Sequence, residues 1–461
     1  MCFRVNGMNS RADAGPVSAE FLLGRAWLDR GQGRIAAAHL ERVLERQPDH
    51  GEAHRYLAYS LVLQGEFVKA LHHLRLALHE NPNDASLQRE IPLLRQMAGV
   101  RPEPVNLPTN PSGRLRFTER YERSHHRSGW RYAMEALYSL HNAEGVRFET
   151  FLEDPFAWEH PHEGIRSPSD LLFALRSPVY QNRLTSEERR IVPFREPWVG
   201  FLHNPPQMPD WFHQQESLQA IFAKPIWQES LDHCLGLFAL SEYAASWVRQ
   251  VTGKPVSVLV HPTEIPNLCF DFDRFLANPS KRIVQIGWWL RRLGAIDRLP
   301  IARDNPLGYE KVRLVPSFFP GAAGYIAKQR EREFAREGLP EPEHAANTIE
   351  LSHLPNDAYD QLLSENIMFV YLYDANANNA VIECLARATP LLVNRLPAVE
   401  EYLGPDYPLY FSDLVDAANK VQDLARVRAA HEYLLASELR LRLDGESFRR
   451  NLVNSEVYHL L

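Results

Sequence analysis

The chain has little cysteine. Cys2, Cys234, Cys269 and Cys384 are scattered over 461 residues, and no two form a CxxC pair. This excludes a disulfide framework, supplies no zinc-ligand spacing, and fits a reducing compartment. No run of about 18 apolar residues is present to span a bilayer. The first residues, MCFRVNGMNSRADAG, lack the apolar core of a secretion signal. Basic charge is also short, with 51 Lys and Arg against 58 Asp and Glu, a formal net charge of −7. A protein that binds nucleic acid by neutralising phosphate carries the opposite balance. No G-x-G-x-x-G follows a strand-like run, which disfavours a dinucleotide-dependent oxidoreductase. The expectation is a cytoplasmic protein with no membrane span and no nucleic-acid partner.

What is present is the composition of an ordinary globular chain, 45% hydrophobic and 24% charged, long enough for two or three domains. The front carries an internal repeat. Residues 17–50 and 51–84 superimpose at a period of 34, matching Gly31 with Gly65, Ala36 with Ala70, Leu40 with Leu74 and Pro48 with Pro82. Apolar residues recur at three- and four-residue steps, a Gly breaks each unit, and a Pro closes it: two helices and a tight turn per unit. The pattern resembles the tetratricopeptide repeat, with Gly24, Ala36, Ala58, Ala70 and Ala77 at the places of close helix approach. Residues 84–99 read as a solvating cap helix, giving a segment over 17–99, and the Pro-rich 100–112 as a linker. Such arrays present surfaces for a peptide or protein partner, or for self-association into an oligomer.

Beyond the linker, helix and strand signals alternate. PWVGFLHNPP (197–206), LGLFALS (235–241) and PVSVLVHP (255–262) read as strands of a first half, 113–275. RIVQIGWWL (282–290), KVRLVPS (311–317), IMFVYLY (367–373) and PLLVN (390–394) read as strands of a second, 276–440, and 441–461 as a helical tail. Trp288 and Trp289, taken as neighbours on a strand, would face opposite sides. Strands apolar throughout, between helices, imply parallel sheets covered on both faces. The fold class is therefore α/β, two facing Rossmann-like domains behind an all-α repeat segment, with residues 270–281 joining the halves. Ligands of such sheets sit beyond the carboxyl ends of the strands.

One stretch there stands out, DANANNAVIECLARATPLLVN (374–394). A helix starting near Asn378 or Asn379 presents unpaired N–H groups, a natural diphosphate seat. Asn376, Asn378 and Asn379 can cap that helix and bond phosphate or sugar oxygens, or serve simply as turn residues. Glu383, one turn in, can accept two ribose hydroxyls. This stretch resembles the donor domain of GT-B glycosyltransferases, in the family-4-type group of glycogen synthase-like enzymes. Glu383 matches the second acid of that pattern, Ala388-Thr389-Pro390 its turn, and Glu400-Glu401 its acidic tail. Eight positions before Glu383, where the family has its first acid, stands Ala375, so Asp374 is the candidate substitute. LSEYAASWV (240–248) and HPTEIP (261–266) resemble the family's strand-to-helix motif and the loop beyond it.

The resemblance implies a glycosyl transfer from a nucleotide diphosphate-sugar as co-substrate, with no other cofactor and no metal. It assigns a donor-sugar contact to His203, after the first-half strand, and a catalytic part to Asp374. Arg291 and Arg292, after IGWW, become the candidate diphosphate grips, since a guanidinium binds phosphate bidentately. Gly129 is either a helix cap or a point of close substrate approach, Glu242 first-turn helix charge, and His261 a structural histidine. Three alternatives stay open. They are a degenerate glycosyltransferase fold kept as a non-catalytic scaffold, a sugar-nucleotide epimerase, and acceptors other than a protein recruited by the repeats.

Overall fold

The structure is a computed structural model. It describes residues 16–30, 32–64, 66–84, 107–118, 129–157, 193–315, 322–338, 347–352 and 354–461, with scattered positions from 87 to 94. Gly31, Gly65, most of the expected cap helix and the linker before 107 lie outside the described residues. The repeats and the α/β body are separate compact units.

In the repeat unit, α1 (Pro16–Asp29), α2 (Gly33–Arg46), α3 (Gly51–Val62) and α4 (Phe67–Glu80) form two helical hairpins. The small residues are where the helices touch. A Cβ on Gly24 would lie 2.7 Å from Leu40 Cγ, and Ala36, Ala58 and Ala70 are wholly buried. Leu87, Ile91 and Leu94 join the same apolar cluster, continuing the core past α4.

The body holds two parallel sheets. The first contains β1 (Leu115–Phe117), β2 (Val146–Glu149), β3 (Trp198–Phe201), β4 (Cys234–Ala239) and β5 (Val256–Val258), side by side in chain order. The second contains β6 (Arg282–Gln285), β7 (Glu310–Leu314), β8 (Thr348–Leu351), β9 (Ile367–Val370), β10 (Leu391–Asn394) and β11 (Tyr410–Phe411). Its order is β11-β10-β9-β6-β7-β8. Counted from β6, that is the doubly wound order 3-2-1-4-5-6, which reverses between β6 and β9. In sheets of this order the ligand crevice lies at that reversal, beyond the carboxyl ends of the strands.

Local signals account for the helices that frame it. In chain order they are α5 (Trp130–Leu137), α6 (Glu242–Thr252), α7 (Phe272–Ala277), α8 (Ala322–Glu337), α9 (Asn379–Arg387) and α10 (Pro397–Leu403), then α11 (Gly445–Val453) and α12 (Glu456–His459). Ser241 caps α6 by accepting from Ala244 N–H, and Gly253, at φ 66°, ends it. Ala388 ends α9 at φ 52°, a left-handed position that usually takes Gly, and His431 Nδ1 bonds its carbonyl at 2.7 Å.

Two readings are corrected. β6 stops at Gln285, so Trp288 and Trp289 are not strand neighbours on opposite faces. Gly287, at φ 74°, turns the chain, and both indoles join one aromatic cluster, edge to face at 5.3 Å. The segment 270–281 is more than a connection, because Phe270, Phe272 and Phe275 are core residues of the second domain. The C-terminal α11 and α12 cross back to the first domain, where Phe448, Leu452, Val457 and Tyr458 complete its core.

Candidate functional site

The loop after β6 lies against the segment after β9. Arg292 N–H donates to Tyr371 O at 2.7 Å and Tyr373 N–H to Leu290 O at 2.9 Å. This pairing carries Arg291 to the N-terminus of α9. Asn378 caps that helix, its Oδ1 accepting from Ala380 and Val381 N–H, and the same oxygen accepts from an Arg291 guanidinium N–H at 3.1 Å. A second guanidinium N–H donates to Trp289 O at 2.7 Å. Gly287 makes the room, since a Cβ there would stand 2.6 Å from the guanidinium carbon.

Arg291 is 7% exposed and makes no ion pair among the described residues, and its Nε has no hydrogen-bond partner among them. Burial pulls the guanidinium down to about 10, against the upward pull of Tyr359 and Glu383. A buried cation at a helix N-terminus, held only by neutral groups, is arranged to meet an anion. Glu383 lies one turn into α9, 2% exposed, and accepts from Tyr359 Oη at 2.7 Å.

Arg292 is held elsewhere. It donates to Glu337 at 2.6 Å and stacks over Tyr373, its carbon 4.4 Å from the ring centroid. Asn379, the first residue of α9, is exposed. Asn376 is 1% exposed, and its side chain bridges the two domains. Its Oδ1 accepts from Leu240 N–H and Ser241 Oγ at 3.1 and 2.8 Å, and its Nδ2 donates to Leu202 O at 2.9 Å. Asp374 acts likewise. It accepts from Gln207 N–H at 2.8 Å, Tyr243 Oη at 3.1 Å and Ala375 N–H at 2.9 Å, and burial raises its pKa.

His203 lies on the loop after β3 that meets those two residues. Its backbone N–H and that of Asn204 donate to Glu153 Oε1 at 2.6 and 2.7 Å. Its Nδ1 lies 3.3 Å from Glu153 Oε2. The ring stacks on Phe151 at 4.0 Å and meets Trp130 edge to face, and Trp130 opens α5 directly after Gly129. Its Nε2 is buried with no hydrogen-bond partner among the described residues.

His261 is buried, its Nδ1 bonded to Pro262 O at 2.7 Å, and burial pulls it down to about 4. Glu242 pairs with Arg249 on its own helix. Glu401, from α10, caps α6 across the domains by accepting from Glu242 and Tyr243 N–H at 2.6 and 2.7 Å. Sequence reasoning missed Glu153, Tyr243 and Gln207, and no spacing motif joins them to their partners. Gly287 lies two residues past the end of β6, inside an apolar run that gives no sign of the turn.

Among the described residues, no group of three or more His, Cys, Asp and Glu is placed to hold a metal, and no helix is long and apolar enough to cross a membrane. Residues 19–85 match the family model of the tetratricopeptide repeat. The front of the chain is a tetratricopeptide-repeat segment. Its Glu90, fully buried, accepts from Tyr59 Oη and Arg55 at 2.7 and 2.9 Å, tying residues beyond α4 back to α3. No curated protein sequence matches the chain.

Solved structures similar to the chain include a mutant O-GlcNAc transferase of Thermobaculum terrenum, at 14% identity over 95% of this chain and 89% of that one, TM-score 0.37. A UDP-forming α,α-trehalose-phosphate synthase of Burkholderia vietnamiensis matches at 15% identity over 71% and 76%, TM-score 0.41. HepE of Anabaena, solved with UDP and glucose, matches at 12% identity over 63% and 75%, TM-score 0.43. Behind the tetratricopeptide repeats, the body is α/β, two facing domains each built on a parallel sheet.

Proposed function

We propose that the chain is a glycosyltransferase that moves a sugar from a nucleoside diphosphate-sugar to an acceptor hydroxyl. The observation that carries this is Arg291, a buried cation with no ionic partner among the described residues, aimed with Asn378 at the N-terminus of α9. The diphosphate sits there, and Arg291 offsets the charge that grows on it as the glycosidic bond breaks. Glu383, one turn along α9, takes the ribose. His203, its Nδ1 held by Glu153, offers Nε2 to a sugar hydroxyl. In the transfer the acceptor oxygen bonds the anomeric carbon and the anomeric carbon–phosphate oxygen bond breaks. The products are the glycosylated acceptor, the nucleoside diphosphate and a proton. The compartment that fits the scattered thiols is the cytoplasm, and the tetratricopeptide repeats offer a surface to a protein partner.

A second reading has its own support. Ala375 stands where the first acid is expected, and the polar atoms of Asp374 and Asn376 are engaged in joining the domains. A non-catalytic scaffold that still binds a nucleotide fits those facts. Calorimetry with UDP and GDP separates the cases. One of the two should bind the intact protein, and Arg291→Ala or Glu383→Ala should weaken it by about tenfold or more, roughly 1.4 kcal/mol. Unchanged affinity in both variants would remove the site. Binding without any hydrolysis of the matching donor would favour the scaffold.

A further inference from the structure

Beside the anion site, the loops after β3, β6 and β9 bring aromatic rings together from both domains. Trp211 and His213 come from the first domain, and Trp288, Trp289 and Tyr373 from the second, with Tyr325 added by α8. Each keeps part of its surface exposed, above a fully buried Phe212. Trp288 and Trp289 meet edge to face at 5.3 Å, Trp211 and Tyr373 at 5.7 Å, and His213 lies 4.8 Å from Trp289. A core would bury such rings completely. Here a row of half-open faces adjoins the site, and Trp289 O holds the Arg291 guanidinium.

The backbone is bent to place them. His213 and Leu290 sit at φ 46° and 55°, left-handed positions that each cost on the order of 1 kcal/mol or more in a residue other than glycine. His213 is fixed there by Tyr325 Oη, 2.6 Å from its Nε2. The rim is polar. Trp289 Nε1 is anchored on the buried Asn204 Oδ1 at 3.3 Å, and the exposed Gln207 supplies a polar edge. Flat apolar faces with a few hydrogen-bonding groups at the edge suit a pyranose, whose C–H face stacks while its hydroxyls bond the rim.

The direction of the donor settles which sugar. Its nucleoside end follows α9 toward Glu383 and Tyr359, so rings contributed by the first domain meet the opposite end. We propose that the aromatic cluster is a carbohydrate subsite and that the acceptor of the transfer is a saccharide, not a polypeptide. This rests on the reading of Arg291 as the diphosphate site.

The test is saturation-transfer NMR on the full chain with excess UDP and three neutral disaccharides, maltose, cellobiose and N,N′-diacetylchitobiose. At least one should receive saturation through its ring protons. Trp211→Ala should abolish that signal and Trp211→Phe should retain it, with UDP affinity changed less than about twofold. Tyr325→Phe, which removes only the hydroxyl that fixes His213, is the second variant, expected to weaken the signal at an unchanged melting temperature. Absence of transfer to all three disaccharides overturns the subsite, as does an equal loss of UDP affinity in Trp211→Ala, which would give the rings to the nucleobase. If UDP fails to bind the intact protein, the diphosphate reading falls, while transfer to a disaccharide would still report on the rings.

Discussion

Glu333 shows how much a single buried carboxylate does at this site. It projects from α8, 1% exposed, and accepts from Leu293 and Gly294 N–H at 2.6 and 3.4 Å, fixing the end of the loop that carries Arg291. Burial pushes the acid from 4.5 up to about 7, Glu337 adds to the rise, and the two backbone N–H groups and Arg292 oppose it. The folded chain thus holds this proton more tightly than the unfolded chain. Its contribution to stability is full below about pH 4.5 and is lost as pH rises through about 7. Each pH unit within that window is worth at most about 1.4 kcal/mol. Glu333→Gln, which stays neutral, should flatten this part of the stability–pH profile. Urea unfolding across the window checks it, and an identical slope in wild type and variant would show that Glu333 does not titrate there.

At the scale of the element, α9 gathers the functional groups on one helix end, and Asn378 there has two tasks. Its Oδ1 caps the helix and also steers Arg291. Asn378→Asp separates the two. The carboxylate remains a good cap and gains a charge-assisted bond to a buried cation, worth on the order of 1–3 kcal/mol of stability. The same charge repels a diphosphate, so UDP affinity should drop about tenfold or more while the melting temperature rises. A joint rise in both would mean that no anion approaches this helix end.

This helix was legible before the structure, because the cap residue, the stripe and the turn after it are all encoded within a few residues. The partners of Asp374 and Asn376 were not. Gln207, Tyr243, Leu240 and Leu202 lie more than a hundred residues away in the chain. A pattern of asparagines looks the same whether it faces a ligand or another domain. Trp288 and Trp289 misled for a related reason. An apolar run continues past β6, but Gly287 bends it out of the sheet, and residue type alone does not reveal that turn.

For the molecule as a whole, the order of sheets and the length of the chain leave the last helices a task that composition does not announce. Read alone, 441–461 is a helical tail. In the fold it returns to the first domain, where Gly445 N–H donates to Tyr132 Oη and Val457 N–H to Ser257 Oγ, both at 3.1 Å. Phe448, Leu452, Val457 and Tyr458 are between 0% and 4% exposed, packed with Phe117, Trp130 and Phe201. At roughly 1.5–3 kcal/mol for each buried large side chain, these four supply about as much as the net stability of a whole domain. Removal of residues 445–461 should therefore unfold the first α/β domain even though every strand of it remains. Limited proteolysis would show rapid cleavage across β1–β5, with the span from β6 to β11 protected by its own core. A truncated chain that resists protease across β1–β5 as well as the intact one would reduce these helices to an appendage. The first domain would then have to be stable on the residues before 262 alone.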